Sequence, residues 1–278
     1  MSPDPRACFK WLLVGVLLAC GAAPAAAGEK DADPKLARII AADHRTPKYA
    51  ARDTYRHPAQ TLTFFGLRPD MTVVEIWPGG GWYTEIIAPY LKEHGKYYAA
   101  HRNRDTDNTR ILAGIKRYDA KLAARPEIYG AVVVTELSRN KADIAPPGST
   151  DMVLTFRNVH NWMKFGFDAV IFQAMYKALK PGGILGVVEH RADPDEFPDP
   201  QTLSGYVQEE QVIEMAKAAG FKFLAKSEIN ANPKDSRDHP KGVWTLPPSM
   251  RLKDKDREKY LTIGESDRMT LKFIKPEQ

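Results

Sequence analysis

The chain has 278 residues, of which 43% are hydrophobic and 27% charged, and its formal net charge is +5. This composition excludes a disordered chain, which has too few apolar residues to fold, and a collagen-like chain, which repeats glycine every third residue. Stretches such as 251–259 interleave Lys and Arg with Asp and Glu, which is typical of a solvated face. We therefore expect no nucleic-acid partner.

The first 27 residues have the pattern of an export signal. Two basic residues precede an apolar run at 11–19, and a run of small residues ends at Ala27. We expect cleavage after Ala27 and export to a bacterial periplasm. A second interpretation stays open, because the segment 17–21 resembles a lipobox in which Cys20 is lipidated and anchors the protein.

Both cysteines, Cys8 and Cys20, lie in this signal, so we expect no disulfide and no Cys-ligated metal in the mature chain. No later segment approaches the ~20 apolar residues of a spanning helix, so the mature chain is expected to have no transmembrane helix. Residues 28–62 are predicted to form a polar tether and short helices. Residues 63–278 are predicted to form one domain.

Strands and helices alternate along that domain. The predicted strands are 72–76, 96–100, 129–135, 151–156, 184–189, 221–227 and 269–274. The predicted helices are 35–44, 57–65, 82–94, 108–124, 167–179 and 209–219. This alternation predicts an α/β fold with a doubly wound, mostly parallel sheet that is covered on both faces.

One long polar segment, 228–268, separates the last two predicted strands and is rich in proline and charge. Long loops in compact domains are usually functional or disordered. Trp244 within this segment is a candidate lid over the site. We expect Asp267 and Arg268, at its end, to form a buried ion pair that closes the sheet.

A glycine-rich turn joins the first predicted strand to the next helix, and its sequence is Glu75-Ile-Trp77-Pro78-Gly79-Gly80-Gly81. In an open α/β sheet, ligands bind beyond the carboxyl ends of the strands, where glycines let the backbone approach them. The turn lacks the dinucleotide fingerprint, because Trp82 and Thr84 stand where that motif requires glycine or alanine. It also lacks the Gly-Lys-Ser/Thr of a phosphate-binding loop.

An acid at a strand end with glycines four and six positions on resembles the nucleoside-binding loop of class I S-adenosylmethionine-dependent methyltransferases. The turn Lys180-Pro-Gly-Gly183 and the alternation over roughly 63–227 are similar to that family. More narrowly, the chain resembles an exported branch of it, through the loop and through the segment 264–269. The resemblance implies a Rossmann-like methyltransferase fold of seven strands with an antiparallel last strand, and S-adenosylmethionine as cofactor.

The resemblance also implies which residues bind the cofactor. They are Glu75, Trp77, Pro78, Gly79, Gly80, Gly81, Tyr83, His101 and Asn158. Two of them depart from the family pattern. Trp77 stands at the first loop glycine, where its indole either narrows the loop or contributes by stacking. His101 stands where the family has an acid that holds the ribose hydroxyls.

Two histidines are candidates for acid–base catalysis, because imidazole titrates near neutral pH. His160 follows the fourth predicted strand, close to Arg157 and Trp162, and His190 ends the fifth. The histidines show no metal-ligand spacing along the chain, so we expect no metal.

The expected function is S-adenosylmethionine-dependent methyl transfer to a small-molecule acceptor. Such an enzyme aligns nucleophile, methyl group and sulfur and excludes water, and it needs a base such as His160 only where the acceptor carries a proton. The alternative is a non-catalytic periplasmic binding protein that uses the same scaffold to hold a nucleoside-like or aromatic ligand.

Overall fold

A seven-stranded sheet forms the centre of the protein, in the order β3-β2-β1-β4-β5-β7-β6. The computed structural model describes residues 33–196 and 202–277. The strands are β1 (Thr72–Ile76), β2 (Lys96–Arg102), β3 (Val133–Leu137), β4 (Thr150–Phe156), β5 (Leu179–His190), β6 (Lys222–Ser227) and β7 (Arg268–Ile274). β7 runs antiparallel to β5 and β6, and the other neighbouring strands run parallel. The predicted fold class, with its antiparallel last strand, is confirmed.

Helices lie on both faces of this sheet. Those before β1 are α1 (Pro34–Ile40), α2 (Pro47–Ala50), α3 (Asp53–Arg56) and α4 (Pro58–Phe65). Those after β1 are α5 (Thr84–Leu91), α6 (Thr109–Ala124), α7 (Pro126–Tyr129), α8 (Val159–Phe165), α9 (Asp168–Ala178), α10 (Glu209–Ala218) and α11 (Arg257–Ile263). Among the described residues, no helix is both long and apolar enough to cross a membrane.

The sheet separates two hydrophobic cores because successive strand residues point to opposite faces. In β1, Val73 packs with α1, α4 and α5, whereas Val74 and Ile76 pack with α9 and α10. Leu62 and Phe65 of α4 are fully buried in the first of these cores. The segment before β1 therefore contributes directly to the packing of the sheet.

The third strand differs from its prediction. We expected residues 129–135, but β3 covers Val133–Leu137 and the preceding residues Pro126–Tyr129 form α7. Proline at the first helical position has its φ already set for a helix, which explains why the strand starts later. The long segment 228–268 also contains regular structure, namely a 3₁₀ turn at Gly242–Thr245 and α11.

The expected ion pair between Asp267 and Arg268 is wrong. The two side chains are neighbours in extended chain and therefore leave the backbone in opposite directions. Asp267 pairs with Arg191, at 2.9 Å, and with Arg237, at 2.8 Å. Arg268 pairs with Glu265. Each residue is buried and ion-paired, but with a different partner.

The export signal, its cleavage site after Ala27 and the two cysteines lie outside the described residues.

Candidate functional site

The loop after β1 lies where the strand order reverses, because β1 has β2 on one side and β4 on the other. Ligands of open α/β sheets bind in the crevice at such a point. Gly79 (φ 62°) and Gly81 (φ 83°) adopt the left-handed conformation that glycine tolerates best. A Cβ added to Gly79 would meet no atom within 4 Å. The α-carbon of Gly79 therefore faces open space into which a ligand can fit.

The rest of the loop is held by hydrogen bonds. Gly81 donates its N–H to the carbonyl of Pro78, at 3.0 Å. The Tyr49 hydroxyl donates to the carbonyl of Gly80, at 3.1 Å. Tyr83 is buried and stacks on Phe156 with their ring centroids 3.5 Å apart. The predicted loop residues therefore form one rigid turn.

Trp77 fills the space between the carboxyl ends of β1, β2 and β3. It has a left-handed φ of 46°. Its indole N–H donates to the carbonyl of Leu137, at 3.0 Å. The guanidinium of Arg102 lies 3.7 Å from the ring centroid, and Trp162 contacts the ring edge-on at 6.1 Å. Because Arg102 covers one face of the indole, little of the ring is left for a ligand to stack on.

His101, at the predicted ribose position, lies directly beside this loop. Its Nδ1 accepts the N–H of Arg102 at 2.8 Å, so the proton is on Nε2, which is 3.3 Å from the carbonyl of Gly79. Burial lowers the pKa of His101. The neutral ring thus offers one N–H donor at the loop, where an acid would offer two acceptor atoms.

Glu75 belongs to a buried hydroxyl network beneath the loop. Its carboxyl accepts a hydrogen bond from the hydroxyl of Tyr97, which in turn lies 3.1 Å from the hydroxyl of Thr84. Burial raises the pKa of Glu75 to about 7, against the hydrogen bond from Tyr97 and the charge of Arg157, which lower it. Glu75 is therefore partly protonated at neutral pH.

Glu75→Gln is expected to remove a pH dependence of stability. Since the folded state holds the proton up to about pH 7 and the unfolded state only up to 4.5, the wild type should lose about 3 kcal/mol as pH rises across this interval. Glutamine can still accept the hydrogen bond from Tyr97 but does not ionise. Denaturant unfolding at pH 5 and pH 8 measures the free energy of unfolding of both proteins. An equal change in this free energy between the two pH values in wild type and variant would contradict the raised pKa.

Asn158 and His160 lie where β4 leads into α8. The side-chain amide of Asn158 donates to the carbonyl of Ile76 at 2.9 Å, which ties the end of β4 to the end of β1. The Nδ1 of His160 lies 3.0 Å from the carboxylate of Glu189, which is fully buried at the end of β5. Glu189 also accepts the backbone N–H of Val159 at 2.5 Å. The carboxylate therefore fixes both the helix start and the imidazole.

His190 completes the group, with its ring centroid 5.4 Å from that of His160. Its Nδ1 lies 2.5 Å from the hydroxyl of Ser266. Burial lowers the pKa of His190 well below its usual range, and the neighbouring His160 and Arg268 lower it further. The two predicted acid–base histidines thus share one site, and His190 is neutral at physiological pH.

His160, Glu189 and His190 offer ligand atoms within 4.8 Å of one another, an arrangement that can hold a metal ion. Sequence spacing did not reveal this group, because Glu189 lies 29 residues beyond His160 and approaches it only through the pairing of β4 and β5. The positive charges of Arg157 and Arg268 act on His190 and would repel a metal ion bound at this group.

The long segment 228–268 reaches the same site. Its Trp244 ring lies 6.0 Å from the ring of His160 and packs under the guanidinium of Arg251, at 4.5 Å. Trp244 is therefore placed where a lid would lie, and its movement stays a prediction.

No protein-family model matches the chain, and no curated protein matches its sequence. Among solved structures, a SAM-dependent methyltransferase from Aquifex aeolicus aligns over 70% of this chain and 93% of its own, at 19% identity and a TM-score of 0.52. The [4+2]-cyclase SpnF aligns over 87% of this chain and 93% of its own, at 14% identity and a TM-score of 0.58. The chain has the class I methyltransferase fold.

A third similar structure is phosphoethanolamine N-methyltransferase 2 of Haemonchus contortus in complex with S-adenosyl-L-methionine. It aligns over 80% of this chain and 53% of its own, at 15% identity and a TM-score of 0.54. At these identities the likeness shows the fold. Because a cyclase shares the fold, the reaction has to be argued from the site itself.

Proposed function

We propose that this protein transfers a methyl group from S-adenosylmethionine to a small-molecule acceptor. The observation that most supports this function is the open space at Gly79, which lies at the switch point of the sheet and beside His101. An added Cβ at Gly79 would meet no protein atom within 4 Å, so a ligand can approach the backbone closely at this position.

The cofactor would lie against the open backbone of Gly79, next to the ring of His101, whose Nε2 is 3.3 Å from the carbonyl of Gly79. When bound, it supplies an electrophilic methyl group on a positively charged sulfur. The protein's own part is to align the acceptor and to exclude water. Three buried aromatic side chains near the loop make its surroundings apolar and so help to exclude water. They are Trp77, Tyr83 and Trp162.

His160 is the proposed base for an acceptor that carries a proton. Its Nε2 lies 3.0 Å from the side-chain nitrogen of Asn161, which can donate only, so Nε2 carries the lone pair and Nδ1 carries the proton. Nδ1–H donates to Glu189, whose charge stabilises the imidazolium that forms when Nε2 exchanges the hydrogen bond of Asn161 for the proton of the acceptor. Glu189 is thus a positioning residue for His160.

Calorimetry with S-adenosylmethionine and S-adenosylhomocysteine tests the cofactor. We expect both to bind the wild type, and we expect Gly79→Val to weaken binding at least about tenfold because its side chain enters the ligand's space. Gly148→Val is the matched control, since Gly148 has φ 61° and equally open surroundings but lies outside the site. Equal affinity in the Gly79 and Gly148 variants would contradict the cofactor assignment. Binding without methyl transfer to any acceptor would favour the alternative, a binding protein.

We propose further that the chain is exported and cleaved after Ala27, on the strength of its charged, apolar and small-residue regions. Mass spectrometry of the protein from a bacterial periplasm should find Gly28 as the first residue. Cys20→Ala should leave this cleavage unchanged. A lipidated N-terminus at Cys20, in the membrane fraction, would show the lipoprotein route instead.

A further inference from the structure

Three arginines converge on the carboxylate of Glu265, and a fourth, Arg157, lies close enough for its charge to act on the same cluster. The Nε of Arg52 lies 2.5 Å from Glu265, and the Nε of Arg56 lies 3.3 Å from it. Arg268 donates to the same carboxylate. Arg56 and Arg268 are only 3% and 2% exposed, so these charges are removed from bulk water. The fourth arginine, Arg157, has no such partner.

Arg157 is the first residue after β4, and its backbone holds it in place. It adopts a left-handed φ of 59° and donates its N–H to the carbonyl of Val188 in β5, at 2.7 Å. Its side chain is half-buried, and within residues 33–196 and 202–277 it makes no hydrogen bond or ion pair. Arg157 is therefore a guanidinium with free donors at the carboxyl edge of the sheet.

The register of the sheet places a second arginine, Arg268, beside His190. Arg268 is the direct neighbour of His190 across the β5–β7 pair. The Nε–H of Arg268 is buried and, among the described residues, has no hydrogen-bond partner. Unsatisfied donors of Arg157 and Arg268 thus lie at the strand ends that also carry His160 and His190.

The charges of this cluster do not balance. Burial lowers the pKa of Arg157 to about 10, with a further contribution from the charge of Arg268, so Arg157 stays protonated at neutral pH. Four guanidinium groups then face the charge of Glu265 and the partial charge of Glu75, on which Arg157 and Arg56 also act. Excess buried charge is unfavourable unless it is paired, so an anion at this place would be bound tightly.

We propose that Arg157, together with Arg56 and Arg268, forms a subsite for an oxyanion, a carboxylate or a phosphate, that belongs to the methyl acceptor. Guanidinium groups bind these planar or tetrahedral oxyanions through two parallel N–H donors. The acceptor is then a small acidic molecule, anchored by its charge and with its nucleophile directed to the histidines. This assignment of the oxyanion to the acceptor rests on the proposed methyl transfer.

The same charges decide between two uses of the His160–Glu189–His190 group. A divalent cation there would face the guanidiniums of Arg157 and Arg268 with only Glu189 to offset it. An anionic acceptor instead neutralises the guanidiniums and leaves His160 as the base. The cluster therefore favours an acidic substrate over a metal ion.

Titration of the mature protein with inorganic phosphate, followed by calorimetry, tests the subsite. We expect saturable binding by the wild type, and a loss of at least about tenfold in Arg157→Gln, since a hydrogen bond to a charged group is removed. Arg110→Gln is the matched control, because it removes the same charge from an exposed position on α6. Circular dichroism confirms that each variant is folded. Equal phosphate affinity in the wild type and Arg157→Gln would overturn the subsite.

A second experiment shows whether the oxyanion belongs to the cofactor or to the acceptor. S-adenosylhomocysteine carries a carboxylate, and 5′-methylthioadenosine lacks it. If Arg157→Gln weakens the binding of S-adenosylhomocysteine but not that of 5′-methylthioadenosine, the subsite holds the carboxylate of the cofactor, and the proposal of an acidic acceptor is wrong. If phosphate and S-adenosylhomocysteine bind together without competition, the acceptor assignment is supported. If phosphate binds through Arg157 but neither nucleoside binds, the subsite stands and the proposed methyl transfer fails.

Discussion

Glu265→Gln is expected to destabilise the protein by about 3–5 kcal/mol, the usual loss when one partner of a buried ion pair is removed. Glu265 is 2% exposed and is the carboxylate to which Arg52, Arg56 and Arg268 donate. Glutamine keeps the size of the side chain but removes its charge. The guanidiniums would then repel one another in a medium that screens them poorly.

The matched control is Glu136→Gln, the same substitution in an exposed ion pair. Glu136 contacts Lys141 at 2.7 Å and Arg104 at 3.8 Å on the surface. Exposed pairs contribute about 0–1 kcal/mol, so this variant should unfold almost as the wild type does. Urea unfolding at pH 7 measures both. A loss below about 1 kcal/mol for Glu265→Gln would mean that water reaches and screens the cluster.

The acid stability of the wild type should depend on the same carboxylate. Burial alone would raise the pKa of Glu265, but the charges of Arg268 and Arg56 outweigh burial and hold the pKa well below its usual range. The unfolded state therefore binds the proton first as pH falls below 4.5, and the wild type loses stability there. Glu265→Gln should lack this part of the acid dependence.

Local sequence patterns predicted most of the scaffold. β1 was predicted at 72–76 and is observed at Thr72–Ile76, because its apolar residues are buried in the cores on both faces of the sheet and a proline and three glycines follow after Trp77. The helix α8 was missed. Its first two backbone N–H groups donate to the carboxylate of Glu189, which lies in β5. No sequence pattern within 158–165 indicates that contact.

The functional groups were predictable one by one and not as a site. His160 and His190 could be chosen because one follows a predicted strand and the other ends one, but the contact of His160 with Glu189 depends on the pairing of β4 with β5. The arginine cluster was not predicted. Arg56 comes from α3, Arg157 from the end of β4 and Arg268 from the start of β7, so only the folded sheet brings them together.

Trp77→Gly is the variant in which stability and ligand affinity are expected to change in opposite directions. The indole is 7% exposed, and removal of a buried aromatic side chain costs about 3–5 kcal/mol. Part of this is offset, by about 1 kcal/mol, because glycine adopts the left-handed φ of 46° without strain. We expect the free protein to lose about 2–4 kcal/mol in denaturant unfolding.

The cavity left by the indole opens between Leu137, Arg102 and Trp162, next to the loop that carries Gly79. A nucleoside can enter this space, so S-adenosylhomocysteine should bind Trp77→Gly at least about tenfold more tightly than the wild type and should restore part of the lost stability. Trp77→Phe is the control, because it removes the N–H donated to Leu137 but keeps most of the ring volume, and its affinity should stay close to that of the wild type. Weaker binding by Trp77→Gly would show that the indole contacts the ligand, because a side chain that only occupied the crevice could not lower affinity when removed.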